Sequence, residues 1–142
     1  MAESITHINY VKTIHEYVLK NFAECINNYN VLVDLPDSCS KPNKMQEGYV
    51  PDLYFENEKI LIIGEAKTTK DFEREHTYNQ LDSYMMKCHK FKEKAYLIIC
   101  VPWEHYITAI NYCNSKIRKN DLNLNVIVMN DIGDSVINEK DY

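Results

Sequence analysis

Three polar residues stand where a buried strand would ordinarily carry apolar ones. Asp52 follows Pro51, and Glu65 and Lys67 close the run Ile60-Leu61-Ile62-Ile63-Gly64-Glu65-Ala66-Lys67-Thr68. A charged pair ending the most apolar strand of a protein is costly unless it serves something. Residues two apart in a strand share a face, so Glu65 and Lys67 project together. Two carboxylates and a backbone carbonyl are hard oxygen ligands, suited to Mg²⁺ or Mn²⁺ with waters retained. A lysine on the same face supplies a cation for developing phosphoryl charge or for positioning a water. Those are the needs of metal-assisted phosphodiester hydrolysis. Zinc is a poorer match, because no histidine lies near the pair in sequence.

For Asp52 to meet Glu65, the two strands must pair as a hairpin. Asp52 to Phe55 alternates, with Leu53 and Phe55 on one face, and Glu56-Asn57-Glu58-Lys59 suits the turn. With the turn on Asn57-Glu58, Glu56 faces Lys59 and Asp52 faces Ile63. Asp52 is then the diagonal neighbour of Glu65, ~7–8 Å away at the backbone, a span one ion can bridge. A one-residue slip would destroy the arrangement.

The remaining elements frame this hairpin. Ile8, Val11, His15, Val18, Phe22 and Ile26 recur at helical steps, with Ser4 as cap and Asn27-Asn28 and Asn30 as the stop. Val31 to Leu35 reads as a strand closed by Pro36, and residues 36 to 48 as a long loop. A second helix spans about Asp71 to Lys90, with Thr77, Leu81, Tyr84 and Cys88 on one face. Tyr96 to Val101 is a buried strand stopped by Pro102, Trp103 to Lys119 a third helix, and Leu124 to Met129 a last strand. From about residue 131 the chain ends in an acidic, polar tail. The expected order is α-β-β-β-α-β-α-β in one domain over residues 1–142, a mixed sheet with helices on both sides. Parallel neighbours are expected in the second half.

At this point the residues meet a family. Pro51-Asp52 followed by Glu65-Ala66-Lys67 resembles the PD-(D/E)xK signature of the restriction-endonuclease-like nucleases. The element order is similar to that superfamily's common core over nearly the whole chain. Gly64 to Thr68 and then Gln80-Leu81-Asp82-Ser83-Tyr84 resemble RecB-type and phage-type members, which carry a Q-x-x-x-Y motif on the following helix. The resemblance implies Asp52 and Glu65 as metal ligands, the carbonyl of Ala66 as a third, and Lys67 as the water-orienting residue. By the same resemblance, Gln80 and Tyr84 steady the site or contact the phosphate backbone. It implies a Mg²⁺- or Mn²⁺-dependent nuclease acting on DNA, with a partner or as an oligomer. Many members place an acid on the first helix near the metals; Glu16 and Glu24 both lie off the apolar stripe. His15 sits near the middle of that stripe, in a region where some RecB-like members carry a histidine. A buried histidine with one hydrogen-bond partner is the simpler expectation there.

Gln80 also earns attention from geometry, since residues four apart on a helix share a face and Tyr84 lies on the apolar stripe. An amide at that stripe's edge, near the strand end, can hydrogen-bond a water or a phosphate. Lys70 and Arg74 lie close enough in sequence to the site to contact phosphates. Lys87, Lys90, Lys92 and Lys94, and Lys116, Arg118 and Lys119, read as solvated faces.

Composition bounds these readings. Lys+Arg 16 against Asp+Glu 21 gives a net charge of −5, which argues against coating nucleic acid through bulk positive charge. That balance favours the competing reading, a nuclease-fold module that binds nucleic acid or protein without cutting. An RNA target is a further alternative. No apolar run approaches the ~20 residues of a membrane span, and the polar start is no signal peptide, so a cytosolic chain is expected. The cysteines at 25, 39, 88, 100 and 113 form no C-x-x-C pair and are expected to act as reduced, small hydrophobes.

Overall fold

The computed structural model describes residues 4–26, 30–70, 74–132 and 135–138. Its elements are α1 (Ile5–Asn21), β1 (Leu32–Val33), β2 (Leu53–Glu56), β3 (Ile60–Ala66), α2 (Arg74–Lys90), β4 (Lys94–Val101), α3 (Trp103–Asn120), β5 (Asn125–Asn130) and β6 (Ser135–Asn138). The strands form one mixed sheet in sequence order, β1 to β6. β1, β2 and β3 pair antiparallel, β3, β4 and β5 pair parallel, and β6 returns antiparallel on β5. The expected order and the parallel second half are both present.

Helices cover both faces, as a parallel sheet requires. On one face Tyr10, Val11, Ile14 and Val18 of α1 pack on Phe55, Ile60, Ile62, Ile98 and Ile127. On the other, Leu81, Tyr84 and Cys88 of α2 and Ala109, Cys113 and Ile117 of α3 pack on Leu61, Ile63, Leu97 and Val126. All of β3 is buried. Gly64 marks the closest approach: a Cβ there would lie 2.9 Å from Ile14 Cγ2 and 3.0 Å from Leu53 Cβ.

Four expectations are corrected. The first helix stops at Asn21 with Phe22 as its C-cap, before the asparagine cluster: Phe22 leaves helical geometry (φ −117°, ψ 18°), and its carbonyl takes the N–H groups of Cys25 (2.9 Å) and Ile26 (3.1 Å). The polar tail contains β6, whose Ser135-Val136-Ile137-Asn138 carries enough β-branched character to pair along an edge. The hairpin turns on Glu58-Lys59 rather than Asn57-Glu58. Asn57 N–H bonds the Ile60 carbonyl at 3.0 Å, and its side-chain oxygen accepts from the N–H groups of Lys59 (2.8 Å) and Ile60 (2.9 Å). Glu56 therefore faces Leu61 and Tyr54 faces Ile63. This two-residue shift keeps every side chain on its expected face, because strand alternation has period two. Finally, only Cys88, Cys100 and Cys113 are core residues, while Cys25 and Cys39 are exposed.

Candidate functional site

The strand ends of β2 and β3 bring the two acids together. Asp52 stands just before β2 and is fastened by its neighbours on both sides. Its N–H donates to the Gly64 carbonyl at 3.0 Å, and its carbonyl accepts from Asp34 N–H at 2.8 Å. Its Oδ2 accepts from the Ala66 N–H at 2.8 Å. Gly64 and Ala66 flank Glu65, so Asp52 straddles it, closer than the diagonal placement expected. The two carboxyl groups are hydrogen-bonded to each other.

Both acids are buried, with 6% of Asp52 and 3% of Glu65 exposed. Burial, then the negative charge of Asp52 and its hydrogen bond, push the Glu65 carboxyl well above its usual range; Lys67 and Tyr84 pull weakly the other way. Burial acts on Asp52 as well, but hydrogen bonds from His7, Glu65 and the Ala66 N–H outweigh it and hold that carboxyl below its usual value. Glu65 is thus the acid of the pair and Asp52 the anion. Lys67 leaves the end of β3 half-buried, its N–H bonded to the Cys100 carbonyl at 3.0 Å. Its charge acts on Glu65, as expected for residues two apart.

From α2, the Tyr84 hydroxyl donates to Glu65 Oε1 at 2.8 Å. Gln80 lies one turn earlier and Thr77 another, both buried. Gln80 Oε1 and Thr77 Oγ1 have no hydrogen-bond partner among the described residues. Buried polar atoms seldom stay unmatched, so these two oxygens are open acceptors beside the carboxyl pair. Tyr49, from the long loop, sets its ring edge-on against Tyr84 (centroids 6.4 Å apart) and His76 (5.9 Å).

The structure separates the other candidates. His7 Nε2 of α1 lies 3.4 Å from Asp52 Oδ2. This contact was not foreseen; its only signal was a histidine in the first turn, where the Ser4 hydroxyl accepts from the His7 N–H at 3.1 Å. His15, by contrast, lines a surface hollow with Lys12, Glu16, Leu35, Asp37 and Ser38, and burial lowers its pKa. It lies at the edge of the buried stripe rather than near its middle, because Val11, Ile14 and Val18 hold the centre. Glu16 and Glu24 are exposed. Lys70 is exposed at the site's edge, and Arg74 opens α2 with its side chain outside the described residues. Lys87 stacks over Tyr54 and, with Lys90, lines a groove beside Leu61, toward the opposite end of β3 from Glu65. Lys116 pairs with Asp82 at 3.5 Å.

Among the described residues no three His, Cys, Asp or Glu side chains are grouped to hold a metal. An ion here would rest on two carboxylates and backbone oxygen. That oxygen set suits Mg²⁺ or Mn²⁺. Among the described residues no helix is long and apolar enough to cross a membrane. Set against models of protein families, curated proteins and solved structures, the chain matches none.

Proposed function

We propose that the protein is a metal-dependent nuclease with a restriction-endonuclease-like core, hydrolysing phosphodiester bonds of DNA at Asp52, Glu65 and Lys67. The observation that carries this reading is the buried Asp52–Glu65 carboxyl pair, hydrogen-bonded across two strand ends beside a lysine. Two acids buried together repel when both ionise; a proton on Glu65 relieves this in the free chain, and a divalent cation would relieve it with both carboxylates ionised. Asp52, Glu65 and the Ala66 carbonyl would hold Mg²⁺ or Mn²⁺, which when bound polarises a phosphate and makes water a stronger nucleophile.

The chain's own groups do the positioning. The Ala66 N–H and His7 fix the Asp52 carboxylate, and the Tyr84 hydroxyl fixes Glu65. Lys67 places a positive charge where phosphoryl charge develops. Gln80 offers an unmatched amide oxygen on the stripe that carries Tyr84, suited to orienting a water. Lys70 is available to a flanking phosphate.

The test is cleavage of plasmid, linear, single-stranded and junction DNA, and of RNA, with Mg²⁺ or Mn²⁺. Asp52→Asn and Lys67→Ala should abolish cutting while circular dichroism shows both variants folded, and Asp52→Asn should also remove Mn²⁺ binding in calorimetry. If the wild type cuts none of these substrates, the competing reading of a module that binds nucleic acid or protein without cutting takes its place.

A further inference from the structure

Trp103 is the chain's single tryptophan, and 63% of its surface is exposed. Its backbone is firmly held. It opens α3 directly after Pro102, and its N–H donates to Asp131 Oδ1 at 2.9 Å. The next residue, Glu104, accepts a hydrogen bond from the Thr69 hydroxyl. Thr69 lies two residues beyond Lys67, so the exit of β3 is tied to the first turn of α3. The parallel register pairs Glu65 with Ile99 and Ala66 with Cys100. Carried forward, it brings Pro102 and Trp103 out one strand over from Lys67, with neighbouring strands ~4.8 Å apart. Trp103 therefore opens α3 on the same edge of the sheet as Asp52, Glu65 and Lys67. One helical turn on, Ile107 is 62% exposed, and Ile132, next to Asp131, is 70% exposed.

Resting on the nuclease reading above, we propose that Trp103, backed by Ile107, is a stacking platform for an unpaired nucleobase of the strand held at the site. Three features select this occupant. An indole face accepts any base, and stacking does not depend on charge. That matters in a chain of net charge −5, whose overall field repels a polyanion. The acids beside the indole are engaged within the protein: Glu104 by the Thr69 hydroxyl, and Asp131 by the Trp103 N–H and the Tyr10 hydroxyl. Lys67 and Lys70, at the adjacent exit of β3, supply the phosphate side. A second copy of the chain is a weaker fit, since a stable interface engages about 20–30 residues a side.

With one tryptophan, emission excited beyond the tyrosine absorption band reports on this position alone. The probes are an oligothymidylate and an oligouridylate of about 12 nucleotides, within the span of known strand-binding modules, and a duplex hairpin of matching length. All are added without divalent ion, so nothing is cut, and binding is read in parallel by anisotropy. Single strands should quench the emission by more than half and the duplex by less. Trp103→Ala should weaken single-strand binding about tenfold, the loss of one stacked base, and Trp103→Phe should restore most of it. Circular dichroism should show both variants folded, as expected at an exposed position. Binding with unchanged emission, or equal affinity in Trp103→Ala, overturns the platform and leaves the carboxylate site to be judged by metal-dependent cleavage. Failure of every strand to bind also overturns the platform, and the nuclease reading is then decided by metal-dependent cleavage. A dimer in sedimentation that Trp103→Ala dissolves overturns the platform in favour of contact between copies.

Discussion

The hydroxyl of Tyr84 and the carboxyl of Glu65 meet at 2.8 Å across 19 residues of sequence, joining the buried face of α2 to the end of β3. Burial, then the charge of Glu65, raises the Tyr84 pKa, so this hydroxyl stays a donor. Tyr84→Phe keeps the ring's packing and removes the bond. It should cost about 1–2 kcal/mol of stability and slow cleavage ~10–100-fold, as loss of a ligand-orienting partner does. Urea unfolding and single-turnover rates check the two effects separately. Wild-type cutting by the variant would detach Tyr84 from the site.

Glu65 also sets a pH dependence. Its carboxyl is raised well above the ordinary 4.5, so the folded chain keeps this proton to higher pH than the unfolded chain does. The contribution to stability is full below about pH 4.5 and is lost as pH rises from there toward the folded value. Asp52, lowered from 3.8, works in the opposite sense: its contribution is present above that pH and lost as pH falls through the folded value. Without divalent ion, Glu65→Gln should therefore gain on the wild type as pH rises above 4.5 and differ little near pH 4.5. Parallel urea midpoints across that range would mean that Glu65 ionises as freely folded as unfolded.

Gly64→Ala tests how tightly the site is built into the core. The added methyl would meet Leu53 Cβ, which no rotamer change can move, and Ile14 Cγ2. A loss of about 1–3 kcal/mol is expected, typical of overpacking. Because Asp52 N–H bonds the Gly64 carbonyl, the displacement should also disturb the carboxyl pair. Thermal melts and cleavage rates should both fall; an unchanged melt would mean that α1 yields easily here.

The two histidines of α1 should separate in function. His7→Ala removes a group 3.4 Å from Asp52 Oδ2 and should slow cleavage by about tenfold or more. His15→Ala alters a surface hollow and should stay within about twofold of wild type. The reverse ranking would contradict the placement of α1.

Gln80→Ala should slow cleavage ~10–100-fold with little loss of stability. Its side-chain oxygen is buried and unmatched among the described residues, so removing that oxygen breaks no hydrogen bond among them. A large drop in the urea midpoint would instead indicate a structural role.

Much of this arrangement was legible in the chain because it rests on short periods. Alternation placed Leu53 and Phe55 together, and four-residue spacing placed Gln80 with Tyr84. The exact pairing was less legible. The Asn57 side chain caps the turn and moves it by one position, a local contest between two polar tetrads that composition does not decide. His7 escaped because its partner, Asp52, is 45 residues away, and helical periodicity describes one element at a time. β6 escaped because two apolar residues in a polar tail read as a strand only once an open edge is there to receive them.

The Ala66 amide gives this site a built-in reporter. Its proton is held by a side-chain oxygen of Asp52, whereas amides within a sheet ladder are held by backbone carbonyls. Anything that draws negative charge from that oxygen, whether a proton or a divalent ion, weakens the pull on the Ala66 hydrogen. In a ¹⁵N-correlated spectrum this one resonance should move with pH and with added Mg²⁺, while amides deep in β4 hold still. Titrating it would read the charge state of the carboxyl pair directly, with no substrate present.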